Sequence, residues 1–385
     1  MLSRLVELPV YARWPFQPVR GAGCYLWDAE GRQMLDLYAG HAVALIGHAH
    51  PAVVAAVNRQ ASELMFYSNA LPLAIRDTLV AQLASLAPSG LDRAFFVNSG
   101  AEANEQAVAL ARRATGRRHV VSIDGGFHGR TLATLSLSGI DAYRERARLA
   151  GGEPLIALTR HCPFDDAGVL EQLVDEDVAA VIVEPVQGLA GARDLSAEFL
   201  HRAREVCDAT GAVLIFDEVQ TGCGRTGAFT AGQLYGVVPD AITLAKGIAS
   251  GLPLGALLVG TRLAEGIGLG DLGTTFGGAP VPCAAAAATL SVLAGERLAA
   301  NAQSMGTTLR ERLSSIPGVS RVTGRGLLLG VVLDRAAKPV QRALFERGVL
   351  VGSAHDAHTL RLLPPLVLEA DHLSSFFEAI EEILG

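Results

Sequence analysis

The stretch Ala94-Phe-Phe-Val-Asn-Ser-Gly-Ala-Glu-Ala-Asn104 opens with four apolar residues and passes through Asn98-Ser99-Gly100 into a helical pattern that runs from Ala101 to Arg113. Its spacing predicts a strand over 94–97 and a helix capped by Ser99. The same alternation of short apolar runs and amphipathic stretches continues to about residue 260. Further strands are predicted at His119 to Ile123, Val178 to Val183, Ala212 to Phe216, Ala241 to Leu244 and Ala256 to Val259, and a helix at Ala197 to Thr210, ended by Gly211. Repeated βα units imply an α/β fold with a mostly parallel central sheet. Beyond Val281 the texture changes to Ala- and Leu-rich helices with strands near Gly326 to Leu333 and His358 to Leu363, which reads as a smaller α+β C-terminal domain. The expected division is an N-terminal segment, 1–44, packing with the small domain, a large domain, 45–280, and the small domain, 281–385. No repeat or linker interrupts it.

The 385 residues are 50% hydrophobic and 18% charged, a composition able to build a large core. There are 39 acidic and 32 basic side chains, and the net charge of −7 is spread without a basic block. This argues against a nucleic-acid or anionic-membrane partner. The longest nearly apolar run, Ala279 to Ala294, holds two prolines and falls short of the ~20 residues of a membrane span, so it reads as the start of a buried helix. Met1 to Val10 contains Arg4, Glu7 and Pro9 and lacks a signal-peptide core. Five cysteines without a C-x-x-C pair fit reduced thiols, and together these features predict a cytoplasmic protein.

Ligands of open α/β sheets sit beyond the carboxyl ends of the strands. Those positions here are Asn98 to Glu102, Gly125 to Thr131, Glu184 to Gly188, Asp217 to Gln220 and Ala245 to Gly247. Ser99-Gly100-Ala101 aims free N–H groups and a positive dipole end at whatever lies there, often a phosphate, though a plain N-cap is the commoner role of such a Ser. Asp217 ends an apolar run, where a buried carboxylate calls for a cationic partner; a helix cap is the plainer alternative. Lys246, between Ala245 and Gly247, sits where a lysine can lose its proton and become a nucleophile, although an ordinary lysine rides an exposed helix face. Of the 32 basic residues only Lys246 and Lys338 are lysines. Two G-x-G-x-x-G strings, from Gly222 and Gly268, suggest a dinucleotide-binding dehydrogenase, but chance placement gives about 0.5 such strings per chain and neither joins a strand to a helix. His48 and His50 have no further ligand at metal spacing, so no metal is expected.

A phosphate-ready helix start, an aromatic beyond a strand, a buried Asp and a desolvated Lys describe a pocket for a phosphorylated aromatic aldehyde, and pyridoxal 5′-phosphate is that molecule. The chain resembles the class III aminotransferases of fold type I, and within them the acetylornithine and ornithine aminotransferases. The matching strings are Asn98-Ser-Gly-Ala-Glu-Ala-Asn104, Phe127-His-Gly-Arg-Thr131, Glu184-Pro-Val-Gln-Gly188, Leu214-Ile-Phe-Asp-Glu-Val-Gln-Thr-Gly222, Gly224-Arg-Thr-Gly227, Leu244-Ala-Lys-Gly247 and Gly273-Thr-Thr-Phe-Gly-Gly278, in family order from about residue 20 onward.

The resemblance implies that Lys246 holds the cofactor covalently and moves the substrate proton, and that Asp217 keeps the pyridine nitrogen protonated. It gives Gln220 the ring hydroxyl and Phe127 the ring face. Ser99, Gly100 and Ala101 become the phosphate cradle, and Glu184, Glu218 and Val219 are further cofactor-binding positions. Thr275 reaches the phosphate from the other subunit of an obligate homodimer. Arg130 takes a distal carboxylate, Thr274 and His41 lie at substrate positions, and Arg361 takes the α-carboxylate of glutamate or 2-oxoglutarate. The implied reaction moves an ω-amino group from acetylornithine to 2-oxoglutarate, a step of arginine biosynthesis, with succinylornithine, ornithine, 4-aminobutyrate, succinyldiaminopimelate or a carrier-linked aminoadipate semialdehyde as alternative donors. Three departures stand out. Leu189 replaces the Glu that pairs with the arginine equivalent to Arg361; His41 replaces a tyrosine or an aliphatic residue; Ala279 replaces an Asn. They imply an altered donor pocket.

Overall fold

The computed structural model describes residues 7–385. The first six residues of the expected N-terminal segment, and most of the Met1 to Val10 stretch, lie outside the described residues. Seven strands form the central sheet, in the order Arg93–Val97, Gly255–Val259, Ala241–Leu244, Val213–Asp217, Val178–Val183, His119–Ile123 and Thr159–Cys162. The last five pair in parallel. Gly255–Val259 runs antiparallel to both of its neighbours, so Arg93–Val97 points the same way as those five. Six carboxyl ends therefore share one edge. The predicted sheet is present, with one strand of opposite direction and with Thr159–Cys162 added.

Central parallel strands are covered on both faces, which is why they read as continuous apolar runs. Val178–Val183 and Val213–Asp217 are buried at every position. Alternate residues face opposite sides: Ala180, Ile182, Val213 and Ile215 pack with the helix Gly100–Thr115, whereas Val181, Val183, Leu214 and Phe216 pack with Phe199 and Leu200 of the helix Ala197–Thr210. Each of these valine, isoleucine, leucine and phenylalanine side chains contributes roughly 1.5–3 kcal/mol by leaving water. The strand predicted over 212–216 runs one residue later, so Asp217 is its last residue rather than the residue after it.

The chain's two ends meet away from this sheet. Arg20–Ala22, Tyr25–Trp27 and Gln33–Asp36 form an antiparallel meander, and Gln33–Asp36 pairs in parallel with Val349–Leu350. Val319–Arg325, Leu328–Leu333, Thr359–Leu362 and Gly352–Ser353 form a separate antiparallel sheet. Its second strand begins two residues after the expected Gly326, because Gly326 takes a left-handed φ of 53° in the turn. The apolar run becomes the helix Pro280–Gly295, with ten buried residues, lying against Pro51–Glu63 and Ala74–Leu86. Its hydroxyls return to the helix, Thr289 to Ala285 O and Ser291 to Ala287 O. Among the described residues no single helix is long and apolar enough to cross a membrane.

The helix Ala197–Thr210 is bounded as its sequence indicates. Ser196 Oγ accepts from Phe199 N at 3.1 Å, and Gly211 ends it at a φ of 76°. Gly211→Ala is expected to destabilise the protein by roughly 1 kcal/mol, since a Cβ in that conformation is strained. Urea denaturation of the two proteins measures it; an unchanged midpoint would show that the turn relaxes.

Candidate active site

A cleft of about 490 Å³ opens at the shared carboxyl edge. At its floor the Asp217 carboxylate, only 3% exposed, is fully engaged. His128 Nδ1 and Asn104 Nδ2 both donate to Oδ2 at 2.8 Å, and Val219 N donates to Oδ1 at 3.0 Å. Asn104 is held in turn, donating to His128 O at 2.8 Å and accepting from Thr243 Oγ1 at 2.7 Å. The partner expected for Asp217 is thus His128. Burial opposes charge on this imidazole, but the hydrogen bond to Asp217, that carboxylate's charge and the charge of Glu184 raise its pKa overall. Neither His128 nor Asn104 stood out as a functional residue in the sequence, although both lie inside strings that carry the resemblance. An apolar strand ending in Asp is the signal that a partner had to exist.

Next to Asp217 the N-terminus of Gly100–Thr115 faces the cleft. Ser99 Oγ accepts from Glu102 N at 3.2 Å, so Ser99 is an N-cap, and the helix geometry leaves the N–H groups of Gly100 and Ala101 without intrahelical partners. A Cβ on Gly100 would lie 2.8 Å from the side chain of Val219, which explains the glycine. Phe127 N donates to Glu184 Oε1 at 2.7 Å, fixing the loop that presents the Phe127 ring. Burial, followed by the charge of Asp217, raises the Glu184 pKa against the opposing effects of His128, the Phe127 N–H and Lys246. Gln220 reaches the cleft across the bare backbone of Gly188, where a Cβ would collide with its amide.

Lys246 also lines the cleft, at the start of the short 3-10 turn Lys246–Ala249 and with a strained φ of 45°. Burial lowers its pKa, Asp217 and Glu184 oppose that, and Arg361 adds to it. Arg361, in the strand Thr359–Leu362, is 3% exposed. Its Nε donates to Ser353 O at 2.6 Å and its two terminal nitrogens donate to Gly188 O at 3.3 Å and Tyr38 Oη at 2.9 Å. All three acceptors are neutral, and Leu189, also in the cleft wall, offers none. Arg130, exposed at the mouth, lies over the Tyr143 ring at 5.4 Å, and Tyr143 meets Phe127 edge-on at 5.0 Å.

His41 enters the cleft from an unexpected backbone. Ala39, Gly40, His41 and Ala42 all have φ between 49° and 67°, a left-handed turn that costs about 1–2 kcal/mol at each non-glycine residue. Asp36 offsets this, because its Oδ1 accepts from Tyr38 N at 2.9 Å and Ala39 N at 2.8 Å while Oδ2 bonds His48 Nε2 at 2.8 Å. Three predicted residues lie off the cleft of this chain. Glu218 is buried behind the strand, accepting from Thr221 Oγ1 and, at 2.9 Å, from Gly232 N. Thr274 Oγ1 accepts from Asn98 Nδ2 at 3.3 Å and Gly277 N at 3.1 Å, and Thr275 is exposed beside it.

The model of the family described as Aminotransferase class-III matches residues 10–384. The chain belongs to the class III aminotransferases. An acetylornithine aminotransferase of Methanothermobacter thermautotrophicus is 39% identical over 100% of this chain and 97% of its own length. That of Streptomyces coelicolor is 44% identical over 95% and 90%. The ornithine aminotransferase structure from Toxoplasma gondii superposes with a TM-score of 0.89 at 31% identity, covering 97% of this chain and 91% of that one. As a class III, fold type I aminotransferase the protein uses pyridoxal 5′-phosphate, and its residues fit that group. Unpaired helix N–H groups stand where a phosphate is wanted, glycines keep the approach open, and a carboxylate held by His128 and a lysine amine complete the donor set.

The His128–Asp217 pair has a pH signature. A raised pKa in the folded aminotransferase means stability that is full below the ordinary histidine value of about 6.5 and is lost as pH rises through the raised one. His128→Gln is expected to cost roughly 3 kcal/mol at pH 6 and clearly less at pH 9, by urea denaturation of the cofactor-free protein. An equal loss at both values would show that His128 is neutral.

Proposed function

We propose that this aminotransferase moves the ω-amino group of N2-acetylornithine to 2-oxoglutarate, giving the semialdehyde and L-glutamate. The observation that carries the reading is the pair of arginines in the cleft, Arg361 buried and Arg130 at the mouth, neither with a carboxylate partner among the described residues. A guanidinium holds a carboxylate bidentately, so two free ones suit a substrate pair in which each member is an anion. The names of the relatives supply the donor, since those at 39% and 44% identity are acetylornithine aminotransferases.

In this reading Ser99, Gly100 and Ala101 bind the phosphate, Phe127 and Gln220 position the ring, and Asp217, held by His128 and Asn104, keeps a proton on the ring nitrogen. When bound, pyridoxal phosphate supplies an electron sink for the carbanion left by proton removal. Lys246 anchors the group and then carries the proton, a task suited to an amine whose pKa burial has lowered. Arg361 takes an α-carboxylate and Arg130 the distal one, with His41 and Thr274 as further substrate contacts. Thr275 serves the phosphate of the other subunit in a homodimer. Support for the dimer comes from exposed apolar side chains beside it, Phe66 against Phe276 at 5.2 Å, with Asn69 tying the two segments together through Thr274 O at 3.1 Å. Glu184 supports the site from the cleft wall and Glu218 from behind the strand. The large domain at 45–280, the small one at 281–385 and the segment 1–44 attached to the latter complete the proposal, as do a cytoplasmic location and a place in arginine biosynthesis.

Amino donors added singly to the loaded protein, with cofactor absorbance followed, test the assignment. Acetylornithine and glutamate should each discharge the visible-edge band at a comparable rate, and Lys246→Ala should abolish both reactions. Glutamate reacting while acetylornithine does not would overturn the donor; full turnover by Lys246→Ala would overturn the mechanism.

A further inference from the structure

Arg361 has no carboxylate, yet it is almost wholly buried and faces the cleft. Of its three acceptors, only Tyr38 Oη is a side chain and so free to reorient. A guanidinium only donates, so Tyr38 Oη must accept from it, and the hydroxyl proton is left to point elsewhere. The further partner within reach is His41 Nδ1, 2.6 Å away, which takes that proton in the tautomer that leaves Nδ1 unprotonated. The Tyr38 ring is locked by Gly352, the strand residue opposite Arg361, whose missing Cβ leaves room for the ring. His41 is delivered by the left-handed turn that Asp36 holds. A strained backbone stabilised for one side chain is the kind of outlier from which a functional role is inferred.

We propose that Tyr38 and His41 form a neutral relay that stands where a carboxylate would otherwise face Arg361, keeping the guanidinium hydrogen-bonded without cancelling its charge. The inference rests on the transamination reading and deepens it by naming how the site tolerates two kinds of reacting carbon. A glutamate carbon carries a carboxylate that meets Arg361. An ω-amine carbon carries none, and the relay then supplies the guanidinium's side-chain acceptor beside the carbonyls of Ser353 and Gly188. His41 is therefore a positioning residue for the ω-amine half of the reaction. The groups facing it are Tyr38 on its own turn, Arg361 from the small sheet, Lys246 from its 3-10 turn and Arg130 from its loop. His41 is open to the cleft; partial desolvation lowers its pKa first, and the three cations lower it further. Protonating the imidazole to its cation would put a hydrogen on Nδ1, turn the Tyr38 hydroxyl away and add a fourth positive charge, which an arriving α-carboxylate offsets and an ω-amine does not.

Two measurements on the full-length protein test the relay. Nitrogen-15 histidine spectra, with His41 identified by its absence in His41→Asn, should show Nδ1 unprotonated at neutral pH. In the loaded protein, His41→Ala and Tyr38→Phe should each lower the ratio of the acetylornithine to the glutamate half-reaction rate by about tenfold. His41→Asn, which keeps an acceptor at the Nδ1 position and tolerates left-handed φ, should restore the ratio and remove the part of its acid limb due to His41. In a Leu189→Glu background, where a carboxylate returns to Arg361, His41→Ala should leave the ratio unchanged. A protonated Nδ1, or a ratio unmoved by His41→Ala in the native background, overturns the relay. A wild-type protein that reacts with neither donor overturns the functional reading instead, and the spectra still decide which way the hydrogen bond runs.

Discussion

The buried carboxylate of Asp217 is the constraint on which the rest of the site depends. An isolated ion there would be costly, and it persists because His128, Asn104 and the Val219 N–H all point at it. These partners come from a helix, a loop and a turn that follow three different strands, and Thr243 on a fourth strand fixes Asn104. Satisfying one charge therefore ties together the carboxyl edge of the sheet. The same bonds orient the carboxylate before any ligand arrives, so little reorganisation is left for the moment of binding.

The other charges in the cleft follow from that anchor. Lys246 and Arg361 both lose proton affinity to burial, and the two buried acids, Asp217 and Glu184, partly return it to Lys246. Arg361 is handled differently, because its bonds go to two backbone carbonyls and a phenol drawn from distant parts of the chain. Backbone carbonyls cannot titrate or swing away. Most of the guanidinium's hydrogen bonding is thus permanent, and only the Tyr38 contact can respond to what enters the cleft.

How much of this was legible in the sequence depends on the range of the interaction. The central strands were readable because burial on both faces leaves an uninterrupted apolar run, and the helix Ala197–Thr210 because its amphipathic run stops at Gly211. Lys246 and Asp217 stood out because a charge closing an apolar run is rare. His128 did not, since a histidine in a glycine-rich loop has no local pattern that reveals which carboxylate it will meet 89 residues away. The Tyr38–Arg361 contact spans 323 residues. The left-handed turn at Ala39 to Ala42 contradicts local preference outright, because alanine there is expected to be right-handed. Only Asp36, placed by a different strand pairing, makes it affordable.

The scarcity of lysine acquires a physical meaning in this setting. Arginine stays charged in proteins and cannot serve as an amine nucleophile, so a chain whose basic residues are 30 arginines and 2 lysines presents very few groups able to capture an aldehyde. Lys338 lies exposed on the helix Ala337–Glu346, far in sequence from every strand end of the large sheet. Lys246 sits in the cleft with burial lowering its pKa and an unpaired helix N-terminus beside it to hold a phosphate. Selectivity for Lys246 thus needs no special reactivity beyond what burial supplies. The phosphate contact localises the aldehyde, and among the side chains lining the cleft only one amine can meet it.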